Sequence, residues 1–247
     1  MICSFRDALI ITILLTIGIS VSAVKAENGL VETPVAGLPI TLTYDPALVR
    51  PHAITPNEKK YSDEADDGGV TVTYVLEARL HLRSQRYFVI VCSSGGSADY
   101  TCSFKPVGST RDIVQNQLEG LRFEIPGDYC VYASGHNNTM FDNRRKYCVD
   151  EENQLQEIKQ PFHYVGLKSK TLRDLTFYSD KEATNAVGTI PKGEFVEVLV
   201  ASVRYYKDGP AGHDYFLVRD KNGLTGWVEL RTGQEAEDIE GMFFAGD

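Results

Sequence analysis

The 247-residue sequence has no Cys-x-x-Cys or Cys-x-x-His pair, no Gly-x-Ser-x-Gly and no His-Glu-x-x-His. A structural zinc draws on closely spaced ligand pairs, a hydrolase elbow exposes its serine on a strand-to-helix turn, and a zinc protease sets two histidines on one helix face. None of these can be assembled here, nor can a Cys-His-polar triad, so no metal, cofactor or catalytic residue is assigned and the chain reads as a non-enzyme. Positive charge is scarce too: 25 Lys and Arg face 34 Asp and Glu, a formal net charge of −9. Phosphate-rich partners need clustered cations, which argues against nucleic acid and anionic lipid. The best basic run, Arg144-Arg145-Lys146, reads as a solvated hairpin tip.

One apolar run stands out, and it lies at the start. Residues 8–19 follow Arg6 and Asp7, and Val21-Ser22-Ala23 and Val24-Lys25-Ala26 both end like signal-peptidase sites. The pattern predicts an export signal over 1–26, cleaved after Ala26; as an uncleaved anchor, residues 8–24 sit at the lower limit for a span. Cys3 precedes both cleavage points, which sets lipid attachment aside. The mature chain is then periplasmic or secreted, with no membrane span.

Cleavage leaves four cysteines, the even number expected of disulfides in an exported chain. Cys92 and Cys102 flank the turn-rich 93–97, and Cys130 and Cys148 flank 134–138. The spacing therefore predicts Cys92–Cys102 and Cys130–Cys148, each closing a hairpin, out of three possible connectivities. A nucleophilic Cys130 beside His136 would leave Cys148 unpaired.

The fold class is all-β: an N-terminal antiparallel β-sandwich over 27–150, a linker over 151–161, a small β-barrel over 162–231 and an acidic tail over 232–247. Val72, Tyr74, Leu76, Ala78, Leu80 and Leu82 alternate with polar or smaller neighbours, the period of a half-buried antiparallel strand. Further strands are predicted at 38–44, 87–92, 101–106, 121–125, 129–134 and 145–150, with a possible helix only at 112–118. Short strands separated by Gly, Ser, Asn and Asp clusters point to a sandwich. The linker is charged and Gln-rich, and the tail holds Glu235, Glu237, Asp238, Glu240 and Asp247 without a balancing cation. Its apolar Met242-Phe243-Phe244 is expected to dock back on its own unit.

Leu121 to Tyr132, with Pro126-Gly127 before Tyr129, is loosely similar to the turn and outgoing strand of bacterial immunoglobulin-like and jelly-roll sandwiches. The C-terminal third resembles the bacterial SH3-like (SH3b) family more specifically. The residues are Leu175-Thr176-Phe177-Tyr178-Ser179-Asp180, the step from Val187 to Ile190, the turn Lys192-Gly193, Val196-Glu197-Val198, Tyr215-Phe216-Leu217-Val218-Arg219 and the closing Gly226-Trp227-Val228. Tyr215 stands where that family usually has Trp, and 207–214 is a long insert. The resemblance implies an SH3-like barrel binding cell-wall peptide, or another envelope protein, in a bacterial envelope.

Rigid aromatic rings with a polar tip suit peptide and glycan contact. Tyr178, Tyr205, Tyr206, Tyr215 and Trp227 are the candidate ligand-binding residues, Trp227 having the competing reading of a core cap. His213-Asp214 reads as a solvated loop, the acidic 62–69 as a solvated turn rather than a calcium loop, and the sequon Asn137-Asn138-Thr139 as silent. The expected function is a non-catalytic envelope binding protein whose peptidoglycan peptide or protein ligand sits on the barrel. The alternative is an interaction subunit or inhibitor of a secreted enzyme, acting through the stapled loops 93–101 and 134–146.

Overall fold

The computed structural model describes residues 29–95, 99–109, 117–135, 141–152, 154–205, 212–233 and 236–242, with the backbone of 24–25. Of the export-signal reading over 1–26, all but Val24–Lys25, whose backbone pairs with Val31 and Glu32, lies outside the described residues, as do residues 112–116 of the possible helix, the sequon, Tyr206 and Phe243-Phe244. Within them the chain is all-β apart from one α-helix and a 3₁₀ turn.

Chain order runs β1 (Val24–Lys25), β2 (Val31–Pro34), β3 (Thr41–Tyr44), a 3₁₀ turn (Pro46–Leu48), β4 (Val49–Arg50), α1 (Pro56–Asp67), β5 (Val72–Ala78) and β6 (Phe88–Ser93). It continues with β7 (Thr101–Pro106), β8 (Gln117–Glu119), β9 (Arg122–Ile125), β10 (Cys130–Gly135), β11 (Asn143–Val149) and β12 (Leu155–Glu157). Two sheets form, ordered β1-β2-β3-β9-β10-β11-β12 and β4-β5-β6-β7-β8. Only the β3–β9 pairing is parallel, because the chain leaves after β3 to build the whole second sheet and returns at β9.

Leu42, Phe123, Ile125, Val131 and Tyr147 from the first sheet and Leu76, Ile90, Cys92, Cys102 and Phe104 from the second share one core, the interior of a β-sandwich. Both predicted disulfides are present, and each joins directly paired residues: Cys92 with Cys102 across β6–β7, Cys130 with Cys148 across β10–β11.

Four departures from the sequence reading stand out. The long alternation starting at Val72 does not run on one face to Leu82. The β5–β6 register shifts between Tyr74 and Leu76, a bulge that turns Val72 and Tyr74 outward onto Val89 and Val91, whereas Leu76 and Ala78 face the core and Leu82 is exposed. The acidic 62–69 is no solvated turn, because 62–67 form the end of α1. That helix buries no residue; it starts from a capping box between Thr55 and Glu58 with Pro56 in the first turn. The His52 ring stands between Glu77 Oε1 at 3.0 Å and Glu58 Oε2 at 3.1 Å, tying the helix to β5 through charge. Third, the linker is partly sheet: β12 pairs with β11 and Leu155 joins the sandwich core. Leu118 lies in strand β8 rather than in a helix.

The remaining strands are β13 (Phe162–Lys170), β14 (Leu175–Tyr178), β15 (Ala186–Ile190), β16 (Phe195–Arg204), β17 (Gly212–Arg219) and β18 (Thr225–Glu229), followed by the short β19 (Thr232–Gly233) and β20 (Ala236–Glu237). The first six form one antiparallel sheet ordered β13-β16-β17-β18-β14-β15. Its apolar face gathers Leu175, Phe177, Ile190, Val198, Ala201, Phe216, Val218 and Val228 into a second core. Ile239 and Met242 close that core, and Phe141, from the sandwich side of the chain, enters it. Thus Met242 docks back on its own unit. Asp238 is fully buried beneath the Arg173 and Arg231 guanidiniums, and these bonds hold its carboxyl down at about 2 against the opposing pull of burial.

A candidate binding cleft on the C-terminal sheet

Strand alternation decides which aromatics are available. Phe177, Phe216 and Val228 point into the second core, so their neighbours Tyr178, Tyr215 and Trp227 point to the other face and remain half-buried. Trp227 is therefore not a core cap. Its strand β18 lies between β17 and β14, and Trp227 pairs directly with Leu217 on one side and Tyr178 on the other. Tyr215 pairs with Glu229, two residues along β18 from Trp227. Gly226 explains how tightly β18 approaches β14: a Cβ there would lie 2.6 Å from the Tyr178 carbonyl oxygen and 2.7 Å from the Phe177 ring.

These side chains line a cleft of about 540 Å³ together with Arg173, Asp174, Asp180, Lys181, Glu182 and Glu229. Its size lies within the roughly 300–1,000 Å³ of small-ligand sites. Lys181 Nζ stands 4.5 Å from the Trp227 ring centroid and 5.2 Å from that of Phe162, and the two rings are 5.9 Å apart. The indole is thus covered by a movable cation and flanked by a half-exposed ring.

The turn that presents Lys181 is built by Asp180. Its carboxylate accepts from the Thr184 hydroxyl, from the Thr184 amide at 3.0 Å and from the Ser179 hydroxyl at 2.9 Å, bonds that lower its pKa. Ala183 completes the turn with φ +55°. The cleft offers an aromatic platform with four carboxylates and two cations at its rim, and neither a histidine nor a cysteine lines it.

Of the five aromatics singled out by sequence, three meet here. Tyr205 does not: its hydroxyl accepts from the Gln160 amide at 2.9 Å, and Lys159 Nζ sits 5.1 Å from its ring centroid. His213 is no solvated loop residue either; it lies in β17, where its Nε2 meets His163 Nδ1 at 3.0 Å. Sequence reading missed Lys181, Asp180, Arg173 and Glu229. The Ser179-Asp180 turn and the alternation around Gly226-Trp227-Val228 held the signal for the first two and the last.

No protein-family model, no curated protein and no solved structure matches the chain. Among the described residues no helix is long and apolar enough to cross a membrane.

Proposed function

We propose that the chain is a non-catalytic binding protein of a bacterial envelope, exported through its apolar N-terminal segment, whose SH3-like C-terminal unit takes a short cell-wall peptide or an envelope-protein segment in the Tyr178–Tyr215–Trp227 cleft. The observation that carries this reading is the convergence of those three rings, from three adjacent strands, on one cleft with charged groups of both signs. A wall stem peptide carries free amines and carboxylates on a short apolar backbone. Asp174, Glu182 and Glu229 suit the amines, Lys181 suits a carboxylate, Arg173 being held by Asp238, and the rings cover the chain between them. Two disulfides fit an oxidising compartment. The carboxylates differ from a catalytic pair in that Asp180 is committed to shaping its own turn.

The test is co-sedimentation of residues 27–247 with peptidoglycan sacculi, beside a Trp227→Ala plus Tyr215→Ala variant shown by circular dichroism to be folded. Wild type should pellet and the folded variant should stay in the supernatant. A wild type that does not pellet removes the wall reading and directs the search to protein partners.

A further inference from the structure

The outer face of the seven-stranded sheet carries a second cleft, about 450 Å³, unrelated to the aromatic one. Its floor follows from register. One cross-strand row reads Thr43, Glu124, Tyr132, Lys146; the next, two residues along, reads Thr41, Arg122, Ser134, Arg144. The row between them, Leu42, Phe123, Ala133 and Arg145, points to the opposite face, where the first three join the sandwich core, so the two polar rows share the solvent face. The run Arg144-Arg145-Lys146 is consequently no hairpin tip but the middle of β11, and Ile158 and Gln160 wall the cleft where the chain leaves β12.

Charge concentrates here against the trend of the molecule. Arg122, Arg144 and Lys146 stand on this face with a single carboxylate, Glu124, in a chain of net charge −9. Arg144 pairs with Asp142 at 3.2 Å and lies over the Tyr164 ring. Lys146 is shared by Tyr132 and, at 4.0 Å, Asp128, and sits 5.1 Å from the Tyr132 ring centroid. Arg122 has no ion pair among the described residues and is the open cation of the face. Arg122 and Lys146 therefore bracket the floor from opposite sides, with Ser134 and Tyr132 of β10 between them, and a guanidinium or an ammonium at each side suits an oxyanion there.

We propose that this face binds an anionic saccharide. Arg122 on one side of the floor and Lys146 on the other each take an acidic group of the chain of sugars, the hydroxyls of Ser134 and Thr43 and the amide of Gln160 bond ring hydroxyls, and Tyr132 and Ile158 cover the apolar face of the sugar between them. Glu124, two residues along β9 from Arg122 and across Tyr132 from Lys146, accepts a sugar hydroxyl and repels closely spaced charge. That feature, with the negative charge of the whole chain, favours a sparsely charged glycan over nucleic acid.

Affinity electrophoresis of the whole protein through gels containing polygalacturonate, dextran sulfate or neutral dextran tests this. Retardation is expected in at least one anionic gel, weakening with added salt, and none in dextran. Polygalacturonate alone would assign a carboxylate ligand, dextran sulfate alone a sulfate. Arg122→Gln plus Lys146→Gln should weaken retention by about tenfold, the loss of two charge-assisted contacts. Lys168→Gln plus Lys192→Gln removes the same charge elsewhere and should leave retention within about twofold, as should Trp227→Ala, which separates this site from the aromatic cleft. Glu124→Gln keeps the bond to a hydroxyl, removes the repulsion and should tighten retention in dextran sulfate, a gain that misfolding cannot imitate. No retardation in either anionic gel, or equal loss in the two double variants, overturns the proposal.

Discussion

His163, on β13, and His213, on β17, share a hydrogen bond of 3.0 Å across the intervening strand β16, where His163 pairs with Ala201 and His213 with Val203. His163 is fully buried and its Nε2 has no hydrogen-bond partner among the described residues. Burial first, then His213 and Arg145, lower its pKa from 6.5 to about 4. The folded protein thus refuses a proton that the unfolded chain accepts. Full stability is present above about pH 6.5 and is lost as the pH falls toward 4, by up to about 3 kcal/mol. Denaturant titrations at pH 7 and pH 5 should show the midpoint falling, and His163→Gln should flatten that part of the profile. An unchanged slope in the variant would place the acid sensitivity elsewhere.

Gly226 predicts a cost that its neighbour in sequence, Gly223, does not share. A methyl at Gly226 must displace the Tyr178 backbone and the buried Phe177 ring, so Gly226→Ala should destabilise by roughly 1–3 kcal/mol through overpacking and disturb the cleft. Gly223 has φ +86° with open space around it, so Gly223→Ala should cost only the left-handed backbone penalty, about 1–2 kcal/mol, and leave ligand binding intact. Thermal melts with a sedimentation assay on both variants separate the two effects. Equal binding losses would remove Gly226 from its role in shaping the cleft.

The difference between what was legible in the sequence and what was not follows range of interaction. Period-two alternation and turn residues announced most strands, and flanking turns announced both disulfides, because each is decided within a hairpin. The bulge in β5 was invisible because the run Val72 to Leu82 keeps its apolar alternation while the backbone slips one residue against β6. Helix α1 escaped because it buries nothing and has no apolar stripe; only Thr55-Pro56-Asn57-Glu58 marked its start. The aromatic cleft was half legible, since its rings are strand-periodic but Lys181 arrives from a turn. The cationic cleft was not legible at all: Arg122 and Lys146 come to one face of the sheet only through the register of three strands.

The disulfides should contribute unequally. Cys130–Cys148 spans 18 residues and Cys92–Cys102 spans 10, so loop entropy alone favours the former, at roughly 3 kcal/mol. Cys92 and Cys102, however, are both fully buried in the sandwich core, and serine there would bury two hydroxyls in apolar surroundings. Paired Cys92→Ser and Cys102→Ser changes should therefore destabilise more than paired Cys130→Ser and Cys148→Ser changes, by about 1 kcal/mol or more. Paired alanine changes, which remove the polar atoms, should narrow the gap. The opposite order in urea midpoints would show that chain entropy outweighs burial here.

Trp227 is the only tryptophan in the chain, so all indole emission reports on the aromatic cleft. With Lys181 held 4.5 Å from the ring centroid, Lys181→Ala should uncover the indole to water and shift its emission to longer wavelength without ligand. A muropeptide seated on the ring should shift the wild-type emission the other way, because water leaves the indole face, and should do so with the concentration dependence of sacculus binding. Tyr215→Ala removes one ring of the platform and should raise the half-saturating concentration about tenfold, a loss of about 1.4 kcal/mol. If sacculi retain the protein while saturating muropeptide leaves the emission unchanged, the wall contact lies off the Trp227 face and the assignment of this cleft fails.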